Sequence, residues 1–262
     1  MTDRIPVALT IAGSDCGGGA GIQADLKSFH AFGVFGTSAL TAVTVQNTRG
    51  VSGVHPIPVD VVRAQIRAVA EDLHPAACKS GMLATAELVR AVAESIREHG
   101  CAHYVLDPVM VASSGDRLLD EDAERTVADE LVPLAALVTP NLDEAAILVG
   151  TPVEDLDGMR RAAATLVEMG ARAALLKGGH LQSAELVDVL FDGRDWHEWR
   201  RPKLDTRNTH GTGCTLSAAV AAGLAHGRPL TRAVEDALSY VSRAMRAAPG
   251  LGGGHGPLNH MV

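Results

Sequence analysis

The sequence is poor in aromatic residues: four Phe, two Trp and two Tyr make up 3% of 262 positions. Lysine is scarce as well, confined to Lys27, Lys79, Lys177 and Lys203, and Lys+Arg 23 against Asp+Glu 31 leaves a net charge of −8. A nucleic-acid binder needs basic patches and rings on which bases can stack, and this composition supplies neither. No apolar run approaches the roughly 18–20 residues that span a bilayer. Residues 1–10, with one arginine and an apolar stretch interrupted by Pro6, are too short and too weakly charged for a secretory signal. Cysteine is limited to Cys16, Cys78, Cys101 and Cys214, with no Cys-x-x-Cys pair and no zinc-type spacing. Four scattered cysteines are expected to remain free thiols in a reducing compartment, which makes this a cytoplasmic protein without membrane or nucleic-acid partners.

Several familiar motifs are missing or incomplete. Gly19-x-Gly21-x-x-Ala24 follows a strand-like run and has the form of a dinucleotide fingerprint, but no Asp or Glu lies between Asp25 and Asp60 to hold a ribose hydroxyl. The dipeptide Gly-Lys never occurs, so there is no phosphate loop of the usual kind, and no Gly-x-Ser-x-Gly elbow offers a serine nucleophile. His99 and His103 are separated by the helix-ending Gly100, and His255 and His260 lie in a glycine-rich tail. All four read as exposed or locally bonded histidines rather than metal ligands.

What remains is 47% hydrophobic and strongly patterned. Strand-like runs at 7–12, 37–45, 51–57, 76–80, 104–106, 137–139 and 173–176 alternate with helical spacing. The helical stretches are 22–32, 60–73 (with Asp60 as N-cap), 84–98 (ended by Gly100), 121–131, 143–149 and 156–169. Segments 186–191 and 196–200 flank Gly193 as a hairpin, and helices at 212–226 and 230–247 follow. This rhythm predicts one α/β domain over 1–262, a mostly parallel sheet covered on both faces. Ligands of such sheets bind beyond the carboxyl ends of the strands. Ser14-Asp15, Asp107-Pro108, Thr139-Pro140-Asn141 and Lys177-Gly178-Gly179 all fall at those ends.

The segment 208–219, NTHGTGCTLSAA, carries the sharpest chemical signal. A glycine turn feeding a helix directs unpaired N–H groups and a positive dipole end at one point, which suits a phosphoryl group gathering charge in transfer. Gly211, Thr212 and Gly213 would form that anion hole. Cys214 falls in the first helical turn, where the dipole favours a thiolate able to take a proton from an attacking hydroxyl. Lys177, at a strand end before two glycines, suits the phosphates of a nucleotide. Asp107 and Glu144 follow strands where magnesium ligands would be useful.

Together with AGSDCGGGAGIQADLKSF (12–29), TAVTVQNTRGV (41–51), KSGML (79–83), LDPVM (106–110), VTPNLDEA (138–145), LLKGGH (175–180) and GHGPLNH (254–260), these parts resemble the ribokinase-like superfamily. Within it, they resemble the hydroxymethylpyrimidine/phosphomethylpyrimidine kinases of thiamine biosynthesis. The resemblance implies a three-layer α/β/α sandwich, ATP and Mg2+ as co-substrate and cofactor, and a homodimer. It implies that Gln46 hydrogen-bonds the pyrimidine edge in a pocket shared with Gly13, Ala20, Asp25, Met82 and Val109. It further implies that Asn141, Thr209 and Lys177 contact the phosphates and that Glu144 and Asp107 serve magnesium. Sugar kinases of the superfamily carry an aspartate where this chain has Cys214, whereas pyrimidine and some pyridoxine kinases carry cysteine. A pyridoxine/pyridoxal kinase of the same fold is therefore the nearest alternative. A non-catalytic pyrimidine or nucleotide sensor on the same scaffold is an alternative of another class.

Overall fold

A computed structural model of the chain describes residues 5–110, 119, 121–180 (of His180 the backbone only) and 185–262. Its centre is a nine-stranded sheet: β1 (Val7–Asp15), β2 (Phe35–Asn47), β3 (Gly50–Pro56), β4 (Ala77–Ser80), β5 (Tyr104–Leu106), β6 (Leu137–Val138), β7 (Ala174–Lys177), β8 (Glu185–Phe191) and β9 (Trp196–Pro202). The spatial order is β3-β2-β1-β4-β5-β6-β7-β8-β9. From β2 to β7 every pairing is parallel, while β3 at one edge and β8 and β9 at the other are antiparallel. The expected mostly parallel sheet is present, as is the hairpin about Gly193, and β3 returns antiparallel to β2.

Period-2 alternation in the central strands sorts side chains between two cores. Leu9, Ile11, Tyr104, Leu106 and Leu176 face a layer made by α2 (Val59–Leu73), α3 (Ala86–His99), α4 (Glu121–Thr126), α5 (Leu142–Val149) and α6 (Leu156–Glu168). Ala8, Val105 and Leu175 face α1 (Gly21–Ala31), α7 (Thr212–Ala225) and α8 (Leu230–Arg246). Because both faces are covered, the strands are continuous apolar runs, and all strands that point at the site end on one side of the sheet.

Three local expectations are corrected. The N-cap of α2 is Pro58, not Asp60, which lies in the first turn where the helix dipole still favours its charge. The helix expected over 121–131 is α4 alone, followed by a wider π turn at Val127–Leu131 and a 3₁₀ turn at Val132–Leu134. Pro133, with no N–H to donate, closes this stretch. The four cysteines are not all free: Cys78 on β4 and Cys101 are disulfide-bonded, with Cα atoms 6.2 Å apart, leaving Cys16 and Cys214 as free thiols. Helix α3 returns the chain so that Cys101 arrives beside β4 just before β5 begins, a neighbourhood that sequence spacing conceals.

Candidate active site

The strand ends and the start of α7 enclose a cleft of about 790 Å³. One wall is the glycine turn. Gly211 is the N-cap of α7 with φ 83°, a left-handed conformation that glycine adopts without a Cβ penalty. A Cβ there would overlap the carbonyl oxygen of Gly19, so the turn is pressed against the loop after β1. That loop is held by Asp15, whose carboxylate accepts from the Gly17, Gly19 and Ala20 N–H groups at 2.8, 3.0 and 2.8 Å and meets His210 Nε2 at 2.8 Å. Although burial opposes its charge, the His210 contact and these amides hold the Asp15 carboxyl below its ordinary value. Asp15 and His210 therefore tie the loop after β1 to the glycine turn before α7, a pairing across 195 residues that no sequence spacing reveals.

Opposite the glycine turn stands a charged trio. Lys177 Nζ lies 3.3 Å from Asp107 Oδ1 and 3.6 Å from Glu144 Oε2. Burial alone would lower the Lys177 ammonium, yet Glu144 and Asp107 hold it above its ordinary value. Burial pushes the Glu144 carboxyl up to about 7 against the pull of Lys177. Asn141 and Glu144 form a reciprocal capping box at the start of α5: the Glu144 N–H donates to Asn141 Oδ1 at 2.9 Å, and the Asn141 N–H donates to Glu144 Oε2 at 2.7 Å. Thr139 and Ser217 hydroxyls donate to the two oxygens of Asp107 at 3.4 and 3.2 Å. Gly213 completes the arrangement: a Cβ on it would stand 3.2 Å from Lys177 Nζ and 3.7 Å from Asp107 Oδ1. The helix start and the trio thus face each other across a gap kept open by a missing side chain.

Gln46, Gly13, Ala20, Met82 and Val109 line the same cleft, together with Gly211, Thr212, Gly213 and Cys214. Asn141, Thr209, Lys177, Asp107 and Glu144 also line it. Asp25 does not. It is buried beneath the wall, where its oxygens receive Lys79 Nζ at 3.0 and 2.9 Å and Thr10 Oγ1 at 2.5 Å. Lys79 takes the wall position instead. The expectation for Asp25 fails because a fully buried carboxylate requires a paired cation, and Lys79 supplies it. Sequence reading passed over Lys79 because a lysine inside a short apolar strand is legible only once its partner is known.

Cys214 is the third residue of α7, as expected, but the expected ready thiolate is not found. Burial pushes the thiol up to about 12, and the nearby Lys79 ammonium pulls only partly the other way. Burial thus favours the neutral thiol at Cys214 over the thiolate. His260, taken for an exposed or local residue, is buried and bonded to Thr215 Oγ1 at 2.9 Å, one residue beyond Cys214. His255 of the same tail meets Thr209 Oγ1 at 3.3 Å on the cleft rim.

No cluster of three or more metal-ligating side chains occurs among the described residues. Asp107 and Glu144 nevertheless suit magnesium, which commonly takes one or two carboxylates and completes its octahedron from phosphate oxygens and water. No helix among the described residues is long and apolar enough to cross a membrane.

The family profile described as phosphomethylpyrimidine kinase matches residues 15–259. The hydroxymethylpyrimidine/phosphomethylpyrimidine kinase of Streptomyces coelicolor is 52% identical over 97% of this chain and 94% of its own length. The thiamine biosynthesis bifunctional protein ThiED of Geobacter sulfurreducens is 49% identical over 97% of this chain, which spans only 52% of that longer protein. Among solved structures, the ADP complex of Bacillus subtilis pyridoxal kinase superposes with a TM-score of 0.92 at 37% identity, covering 98% of each chain.

Proposed function

The chain belongs to the phosphomethylpyrimidine kinase family, and from that premise we propose that its cleft uses ATP to phosphorylate 4-amino-5-hydroxymethyl-2-methylpyrimidine and then the resulting monophosphate. The observation that carries this reading is the meeting, in one cleft, of the Gly211–Cys214 turn, the Lys177–Asp107–Glu144 trio and the amide of Gln46. A primary amide offers a donor and an acceptor, the complement of a ring nitrogen beside an amino group. Met82, Val109 and Ala20 enclose such a ring without aromatic stacking.

In the transfer, the substrate hydroxyl oxygen attacks the γ-phosphorus in line. Lys177 lies against the phosphates, and the Gly213 and Cys214 amides at the start of α7 receive the charge on the transferring group. Magnesium, held by Asp107 and Glu144, would supply neutralisation of phosphate charge. In the loose transition state of phosphoryl transfer the attacking oxygen sheds its proton late. Cys214, entering as a thiol, is therefore assigned to orienting the hydroxyl, whose proton passes to an oxygen of the transferred phosphoryl group at the end of the step. A cytoplasmic homodimer belongs to the same reading, and light scattering measures the assembly state.

The pyridoxal kinase alternative shares this fold, so overall shape does not discriminate. Pyrimidine-dependent ADP release by the purified protein, compared with pyridoxal-dependent release, does. Turnover of the aminopyrimidine supports the proposal, and turnover of pyridoxal alone overturns it. ADP release stimulated by neither substrate would favour the sensor.

A further inference from the structure

Gln46 has its backbone fixed before its side chain meets any ligand. The pairing of β2 with β3 shifts register between Val45 and Gln46, an irregularity of the kind that re-aims a side chain. On the loop after β1, the Cys16 thiol donates to the Gln46 carbonyl at 3.1 Å, and the Gln46 N–H donates to Cys16 Sγ at 3.4 Å. What remains to be set is the direction of the amide at the end of the side chain, and a half-turn of that amide exchanges donor for acceptor. Thr44, buried two positions earlier on β2, lines the same cleft. Its Oγ1 lies 2.8 Å from the Ser14 carbonyl oxygen and 3.2 Å from Gln46 Oε1. A hydroxyl has one proton and cannot give it to both. The carbonyl is the closer acceptor and is held in place, because the Gln23 amide donates to Ser14 Oγ at 2.7 Å and accepts the Asp15 N–H at 2.9 Å. With the proton directed at Ser14, the Thr44 lone pairs face the Gln46 amide, where a nitrogen satisfies them and an oxygen would repel. The hydroxyl thus selects the half-turn that brings Nε2 toward Thr44 and turns Oε1 away.

We propose that Thr44 is a specificity-determining residue: by holding the Gln46 amide in one orientation, it makes the cleft accept a 4-aminopyrimidine and reject the 4-oxo analogue. This rests on the pyrimidine reading of Gln46 above, and Thr44 acts through Gln46 as a positioning residue. The 4-amino ring presents a donor beside the acceptor nitrogen N3. The 4-oxo ring presents an acceptor beside the donor N3–H, the same two positions with the roles exchanged. An amide free to turn would bind either ring. A fixed amide facing the wrong ring sets oxygen against oxygen and N–H against N–H. Sites built to hydrogen-bond a group reject an analogue lacking it by about 10⁴–10⁵-fold.

The test measures kcat/KM for 4-amino-5-hydroxymethyl-2-methylpyrimidine and for its 4-oxo analogue, with ATP and magnesium saturating, in the wild type, Thr44→Val and Thr44→Ser. The wild type is expected to favour the amino ring by at least about 10³-fold. Valine has nearly the shape of threonine and suits a strand, but it cannot hold the amide. Thr44→Val is expected to raise kcat/KM for the oxo ring by about 10-fold or more and to lower it for the amino ring, with KM for ATP unchanged. Thr44→Ser retains the hydroxyl and should keep the wild-type preference. Damage to packing alone would lower both rings together in Thr44→Val, and that result overturns the proposal, as does a wild type that uses both rings equally well. Absence of pyrimidine-dependent ADP from the wild type with either ring would instead sink the kinase reading itself.

Discussion

Substituting Gly213 by alanine separates the stability of this fold from its chemistry. Gly213 is the second residue of α7, and its backbone is not in the left-handed region. Alanine is a better helix former than glycine by about 0.5–1 kcal/mol. The added Cβ would stand 3.2 Å from Lys177 Nζ and 3.7 and 3.8 Å from the Asp107 oxygens. The ammonium ends a flexible side chain, so a shift of a few tenths of an ångström accommodates the methyl. The folded protein is therefore expected to lose nothing and to gain up to about 1 kcal/mol. The same methyl fills the gap between the α7 amides and the trio, where the proposed mechanism places the transferring group. Removing one donor from such a hole commonly costs about 10²–10³ in kcat, and obstructing it should cost at least about 10².

Gly211→Ala is the contrasting control. Its φ of 83° costs alanine about 1–2 kcal/mol, and the overlap with the Gly19 carbonyl adds to that. Urea unfolding and pyrimidine-dependent ADP release, run on both variants, read the two effects. A Gly213→Ala protein with undiminished turnover would refute the placement of the phosphoryl group. Severe destabilisation of that variant would refute the packing argument.

Other consequences are equally direct. Cys214→Ala should lower turnover far more than nucleotide affinity, because its proposed contact is with the attacking hydroxyl; unchanged kcat would reduce the thiol to packing. Gln46→Ala should raise KM for the pyrimidine and leave KM for ATP nearly unaltered, and equal rises for both would contradict the division of the cleft. Burial lowers His260 from its ordinary 6.5 to about 4, with a smaller push from Lys27, so the fold favours the neutral ring. The unfolded chain then binds the extra proton first as pH falls. Stability present above pH 6.5 is lost progressively toward pH 4, by about 3 kcal/mol in total. His260→Gln should flatten that component in unfolding titrations between pH 7 and 5, and parallel wild-type and variant curves would refute it.

The parts of this protein that could be read from its sequence are those in which local chemistry and global position agree. Strand β7 ends in Lys177 and Asn141 caps α5 with Glu144 three residues later; both are visible as a strand end and a capping pattern. The Gly-Thr-Gly-Cys turn is visible because a helix start must leave amides unpaired. What escaped depends on contacts between distant segments. Asp25, on α1, reads as a wall residue in the sequence; its partner Lys79 lies on β4 and pairs with it only in the folded chain. Cys78 and Cys101 are 23 residues apart in sequence and adjacent only because α3 doubles back. Cys214 was placed correctly on its helix, but its protonation is set by enclosure, which a helix-dipole argument does not include.

The most direct test of the account is to follow the phosphorus. The purified protein, supplied with ATP, magnesium and 4-amino-5-hydroxymethyl-2-methylpyrimidine, is monitored by phosphorus NMR as the reaction proceeds. The account predicts a pyrimidine monophosphate resonance that rises and then gives way to the diphosphate, with ADP released at each step. Phosphoryl transfer to pyridoxal alone, under conditions where the pyrimidine remains unmodified, would contradict it.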